Sequence, residues 1–175
     1  RWLYLPVEVK DREFTGKIFL ACVAATRGFG VLLGRNGLNV GHDYPRGIYF
    51  DKCLSTHKIG FHRYQVQELG NSLVSLDEEG LLFFPEAAHV ESRFSVEALA
   101  LSSCVFTWGD NERDVILKNF PEAREKVQSV GSPRMDVWRP EFRVFFDEDV
   151  RAIKRKFGRI ILIVSNFGGC FSEDD

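Results

Sequence analysis

Short apolar runs alternate with single amphipathic stretches along most of this chain, and glycines mark many of the changeovers. Trp2-Leu3-Tyr4-Leu5-Pro6-Val7 reads as a first buried strand. The spacing over Arg12–Arg27 predicts a helix with Phe14, Ile18, Cys22 and Ala25 on one face. Gly28 stands where a left-handed cap would end it. Val31-Leu32-Leu33, Gly47–Phe50, Ser72–Leu76, Cys104–Trp108 and Val127–Val130 read as further strands. Helices are expected over His57–Leu69, over Ser95–Ser102 with Ser95 as N-cap, and over Asn111–Asn119 before Pro121. Apolar strands separated by single helices form βαβ units, whose crossovers are right-handed. The expected class is therefore α/β: a Rossmann-like parallel sheet flanked by helices.

The pattern changes after Arg139-Pro140. Asp147–Phe157 reads as a charged helix, basic toward its C-terminal end as the helix dipole favours, with Gly158 as its cap. Arg159–Val164 is the most apolar strand candidate in the chain, and such a strand wants neighbours on both sides. The expected organisation is a Rossmann-like domain over 1–140, a connecting helix over 141–158, and over 159–175 the first strand and loop of a second, truncated domain. The rival expectation pairs 159–164 inside the first sheet.

Composition narrows the function classes. The chain of 175 residues is 45% apolar and 27% charged, which suits one globular core and excludes disorder. A formal net charge of −2 supplies no basic field for nucleic acid. No run of about 18 apolar residues is present, so no membrane-spanning helix is expected. No secretory leader pattern opens the chain, which begins on Arg1. The 16 phenylalanines point to an aromatic-rich core, or to an apolar acceptor or membrane surface. Cys22, Cys53, Cys104 and Cys170 form no CxxC pair, and Cys22 and Cys104 read as small core residues in a reducing compartment. His42, His57, His62 and His89 are scattered without metal-ligand spacing, so no metal or resident cofactor is expected. A phosphate loop and a nucleophile elbow are absent, and so is a dinucleotide fingerprint, whose absence argues against a nucleotide-sugar epimerase or other Rossmann enzyme of that kind.

The chemistry-bearing residues cluster at expected strand ends, where parallel α/β sheets bind ligands. Asp77-Glu78-Glu79-Gly80 follows a strand directly. Three adjacent carboxylates repel one another, which raises a pKa toward the range of a general base; a solvated acidic turn is the alternative. Glu8, Lys10 and Arg12 join the first strand to its helix, either as an anion site or as a salt-bridged helix start. In Gly131–Asp136, Ser132 caps, Pro133 suits a first helical turn, and Arg134 faces a helix start, with an Arg134–Asp136 pair as the structural alternative. Trp108, before Gly109, is either a packed aromatic or a platform for a sugar ring.

In order, Leu5–Glu13, Arg27-Gly28-Phe29, Pro45–Lys52, Leu76–Gly80, Phe106–Gly109, Gly131–Asp136 and Val164–Gly168 together resemble the bacterial surface carbohydrate (surface polysaccharide) biosynthesis proteins. These are glycosyltransferase-like, with the two-domain GT-B architecture. The resemblance implies an acceptor-side N-terminal domain here and a donor-side domain begun at 159. It implies sugar transfer from a nucleotide-activated donor to a glycan or glycolipid acceptor, in lipopolysaccharide or capsule synthesis. The place would be the cytoplasm, at the inner face of the bacterial membrane. Glu78, Glu79 and Gly80 match the acidic-acidic-Gly motif of bacterial sialyltransferases and Kdo transferases, in which a carboxylate is the base. The His-Pro motif that binds CMP in those enzymes has no counterpart here. Glu79, Glu78 and Asp77 are thus the catalytic candidates, and Glu8, Lys10, Arg12, Gly80, Trp108, Gly109, Ser132, Arg134 and Asp136 the substrate-binding ones. The 131–136 segment also resembles polyol-phosphate transferases of teichoic acid synthesis, which keeps CDP-linked donors open. A non-catalytic binding or assembly domain, complete in itself, is the reading from another class.

Overall fold

The computed structural model describes residues 1–35, 38, 40–80 and 86–163. The chain divides between Arg139 and Pro140 into two compact units.

The first unit is a six-stranded, wholly parallel sheet: β1 (Trp2–Val7), β2 (Gly30–Arg35), β3 (Gly47–Asp51), β4 (Ser72–Leu76), β5 (Cys104–Thr107) and β6 (Val127–Ser129). Their spatial order is β2-β1-β3-β4-β5-β6. The winding direction reverses between β1 and β3, so the carboxyl edge carries a topological switch point there. The α/β Rossmann-like class read from the alternation is the class observed.

Side-chain alternation builds two apolar layers. Tyr4, Tyr49, Leu73 and Val105 point to one face, with Leu99, Ile116 and Phe94 packed over them. Leu3, Leu5, Phe50, Val74 and Leu76 point to the other, under Leu20, Ala21 and Ala24. The helices are α1 (Lys10–Thr26), α2 (Ile59–Arg63), α3 (Glu86–Arg93), α4 (Val96–Leu101), α5 (Asp110–Asn119) and α6 (Pro133–Asp136). Gly28 ends α1 at φ +82°, a left-handed conformation in which a side chain is strained. Ser95 caps α4, its Oγ accepting from Ala98 N at 3.2 Å.

Three expectations need correction. The face of α1 turned inward is not Phe14, Ile18, Cys22 and Ala25, which are exposed. It carries Glu13, Gly16, Lys17 and Ala24. The first turns of a helix entering from β1 lie over strand ends, where polar groups wait, so charged residues serve there and Ala24 covers the sheet further on. Cys22 is consequently a surface thiol, not a core residue. The stretch from 57 to 69 is not one helix: a 3₁₀ turn and α2 widen into a π-type turn over Tyr64–Glu68. Gln65 is buried there and accepts from Asn71 Nδ2 at 2.8 Å. Gly16 is a required glycine, since a Cβ on it would lie 2.9 Å from the backbone nitrogen of Arg134. That close approach seats α6 against α1.

In the second unit a 3₁₀ segment, Pro140–Phe146, leads into α7 (Asp147–Phe157), acidic in its first turn and basic in its last. The strand expected over 159–164 does not form across 159–163. A strand is defined by a neighbour's hydrogen bonds; Ile161, Leu162 and Ile163 are instead 92%, 78% and 85% exposed. Val164 and the rest of the Val164–Gly168 motif lie outside the described residues.

Candidate functional site

The carboxyl ends of β1, β3, β4 and β5 deliver polar residues to one edge. Across the switch point, Glu8 after β1 is ion-paired with Lys52 after β3. Arg12 in α1 bridges Glu13 at 2.9 Å and Glu79 at 2.7 Å. Arg93, at the end of α3, holds Glu79 from the other side. Glu78 turns inward and pairs with Lys17 at 2.9 Å, both being buried. Asp77 is also buried, and its Oδ1 accepts from Glu79 N at 2.9 Å. The three acidic neighbours therefore have three different environments. Asp77 and Glu78 are enclosed, whereas the Glu79 side chain is 45% exposed.

The remaining expected residues divide. Ser132 caps α6, its Oγ accepting from Arg134 N at 3.3 Å, and Arg134 reaches the carbonyl of Glu78 at 3.4 Å. The space between Lys17, Glu78, Ser132 and Arg134 has room for about one water. Trp108 is a half-buried aromatic whose indole N–H donates to the carbonyl of Asp77, tying the end of β5 to that of β4. Gly109 precedes α5 and is its N-cap. Gly80 lies against Glu112: a Cβ on it would come within 2.6 Å of Glu112 Oε1. Lys10 and Asp136 do not join this network. The Lys10 ammonium sits 5.9 Å from the Phe14 ring centre, and Asp136 pairs with Arg139 at 2.9 Å.

Sequence reading missed Glu13, Lys17, Lys52, His89, Arg93 and Glu112. One signal was available for one of them: Glu112 precedes Val115 and Ile116 by three and four residues, which puts it on the inner face of α5. His89 and Arg93 gave no such signal.

Burial dominates the electrostatics. It pushes the Glu112 carboxyl up to about 8; the Asp77 charge adds to this and the Trp108 N–H bond opposes it. Burial also raises Asp77 above the usual carboxylate range, against the Glu79 N–H, Arg93 and His89, while Glu79 adds to the rise. His89 is lowered, mainly by burial, despite Asp77. Lys52 is lowered by burial first and by Lys58 second. Asp77, His89 and Glu112 each bring one ligand-type atom within 4.8 Å of the other two.

Fold and edge together define a doubly wound parallel α/β domain with a densely charged crevice at its carboxyl edge. No family model, curated protein or solved structure matches this chain. Among the described residues, no helix is long and apolar enough to cross a membrane.

Proposed function

We propose that this domain serves glycosyl transfer in bacterial surface polysaccharide synthesis, as the acceptor-side half of a GT-B-like enzyme. One observation carries the reading. Of the three carboxylates in the acidic motif, Glu79 is the one presented to solvent, and it stands at a strand end between Arg12 and Arg93. In this role Glu79 takes the proton of an acceptor hydroxyl as its oxygen attacks the anomeric carbon of the donor sugar, and the nucleotide phosphate departs. Arg12 and Arg93 move from Glu79 to anionic groups of the substrates, which frees the carboxylate to act as base. Asp77 and Glu78 position the turn: Asp77 through the Glu79 N–H, Glu78 through Lys17. The donor is held by the partner domain of the GT-B pair, and the lipid-linked acceptor is met at the inner face of the membrane.

The test is a transfer assay on the full-length protein, donor-side domain included, with CMP-, UDP-, GDP- and CDP-activated donors and glycolipid acceptors from a bacterial envelope. Wild-type protein is expected to transfer one sugar, and Glu79→Gln to lose about 10² to 10⁴ in rate. Equal rates for the two proteins would remove Glu79 as the base. A second reading, a domain that binds an anionic glycan without catalysis, is favoured by the existing ion pairs of Glu13, Glu78 and Glu79. It predicts glycan binding with no turnover of any donor.

A further inference from the structure

We propose that Asp77, His89 and Glu112 form a binding site for one divalent metal ion of the Mn2+ or Zn2+ kind. The three residues come from the end of β4, from α3 and from the first turn of α5. They lie 12 and 23 positions apart in sequence, and the fold alone assembles them.

Two observations point to a ligand, beyond the closeness of the groups. Asp77 and Glu112 are 3% and 2% exposed, yet Asp77 Oδ2 and Glu112 Oε1 accept no hydrogen bond. Buried carboxylate oxygens without a donor are rare, because each forfeits the hydration it had in the unfolded chain. The other oxygen of each group is fixed by backbone: Asp77 Oδ1 by Glu79 N at 2.9 Å, and Glu112 Oε2 by Trp108 N at 2.8 Å. Each carboxylate is thus anchored through one oxygen and offers the second to a shared space. This is how outer partners orient metal ligands.

The geometry suits a small cation after slight contraction. Bonds of about 2.1 Å to nitrogen and oxygen ligands place ligand pairs roughly 3.0–3.4 Å apart. The observed span of up to 4.8 Å closes with a shift of about 1 Å in the side chains, within reach of torsions at His89 and Glu112. One imidazole with two carboxylates suits Mn2+ or Zn2+ better than Ca2+, which takes oxygen ligands alone. Arg93 is the competing cation, with Nε 3.6 Å from Asp77 Oδ2. Its terminal nitrogen already holds Glu79, so it keeps a partner when a metal takes that oxygen. Gly80 leaves the Glu112 carboxylate free of side-chain obstruction. Three protein ligands leave coordination positions open, the arrangement of a site that also binds water or a substrate oxygen. The proposal does not depend on glycosyl transfer.

Chelator-treated protein is titrated by calorimetry with MnCl2 and, separately, with ZnCl2; Mn2+ binding is followed in parallel by electron paramagnetic resonance. One equivalent of metal is expected to bind saturably and to raise Tm. Glu112→Gln and His89→Ala should each weaken binding about tenfold or more. Glu112→Gln removes a buried carboxylate, so its metal-free Tm is expected at or above that of wild type. Lost binding in that variant then cannot be misread as unfolding. Should the glutamine variant fail to fold, His89→Ala decides alone. The site is overturned if neither metal binds saturably, or if both variants bind as wild type does, which would put the ion elsewhere, for example at the exposed Cys22 thiol.

Discussion

Asp51 and Asp77 stand at the carboxyl ends of neighbouring strands, are 1% and 3% exposed, and each lies beside a histidine. Their surroundings treat them in opposite ways. Asp51 Oδ1 accepts from Lys52 N and from Lys58 Nζ, both at 2.7 Å, and its Oδ2 lies 2.8 Å from His62 Nε2. Burial alone would raise its pKa, but the His62 bond and Lys58 together outweigh burial, and the carboxyl is held below its usual range. Asp77 has one oxygen bonded, the other without a donor, and a second buried carboxyl nearby; burial wins and its pKa rises. Equal depth therefore gives pKa shifts of opposite sign, and the number of donors decides which. A fully partnered carboxylate is a structural member, and a half-partnered one is a group held ready for a ligand.

The contrast is easiest to break at Asp51. Asp51→Asn should cost about 3–5 kcal/mol at pH 7 in urea unfolding, because it strands a buried histidine and a lysine. The sign with pH follows from a lowered pKa. The stabilisation is complete above the ordinary aspartate value of 3.8 and disappears as pH falls through the lower folded value. The gap between Asp51→Asn and wild type should therefore close in strong acid. A gap that persists there would show that packing, not charge, holds the site.

Glu112→Gln should act in the other direction. A raised pKa favours the protonated folded form. Metal-free wild type is then expected to lose stability as pH climbs from 4.5 through about 8, and the glutamine variant should not. Near pH 9 the variant should be the more stable by about 1–3 kcal/mol. Parallel stability curves for the two proteins would mean that the carboxyl is better solvated than its burial implies.

Gly80→Ala gives the smallest effect and sharpens the comparison locally. Its Cβ would press on the anchored Glu112 carboxylate, at about 1–2 kcal/mol. The cost should largely vanish in a Glu112→Ala background, since neighbouring substitutions are not additive. Additive costs would place the strain elsewhere.

Much of the first unit was legible in the sequence. Strand runs such as Leu3-Tyr4-Leu5 and Leu73-Val74 are apolar on both faces, which is what a covered parallel sheet requires. The inner face of α1 was not legible. Periodicity counts apolar residues, and there the chain spends Glu13 and Lys17 inward and leaves Phe14 and Ile18 outside. Along 159–163 the apolar run has no strand neighbour and forms no strand, because β-propensity names a segment that can pair and only a neighbour makes it a strand. In the site, the acidic turn at Asp77–Gly80 was visible from its place after a strand. Its division of labour was not, because the three carboxylates differ only in what surrounds them.

Sequence by itself determined the α/β class, since two-residue and helical periods recur in alternation and only a parallel sheet buries such strands. It also determined that acidic and basic residues would crowd the carboxyl edge, because they follow the strands directly. Tertiary structure decided which of them meet. The order β2-β1-β3-β4-β5-β6 brings α3 and α5 to the end of β4, and so sets His89 and Glu112 against Asp77. Charge state, partner and role depend on that meeting through burial and donor count, and neither quantity belongs to a residue until the chain has folded.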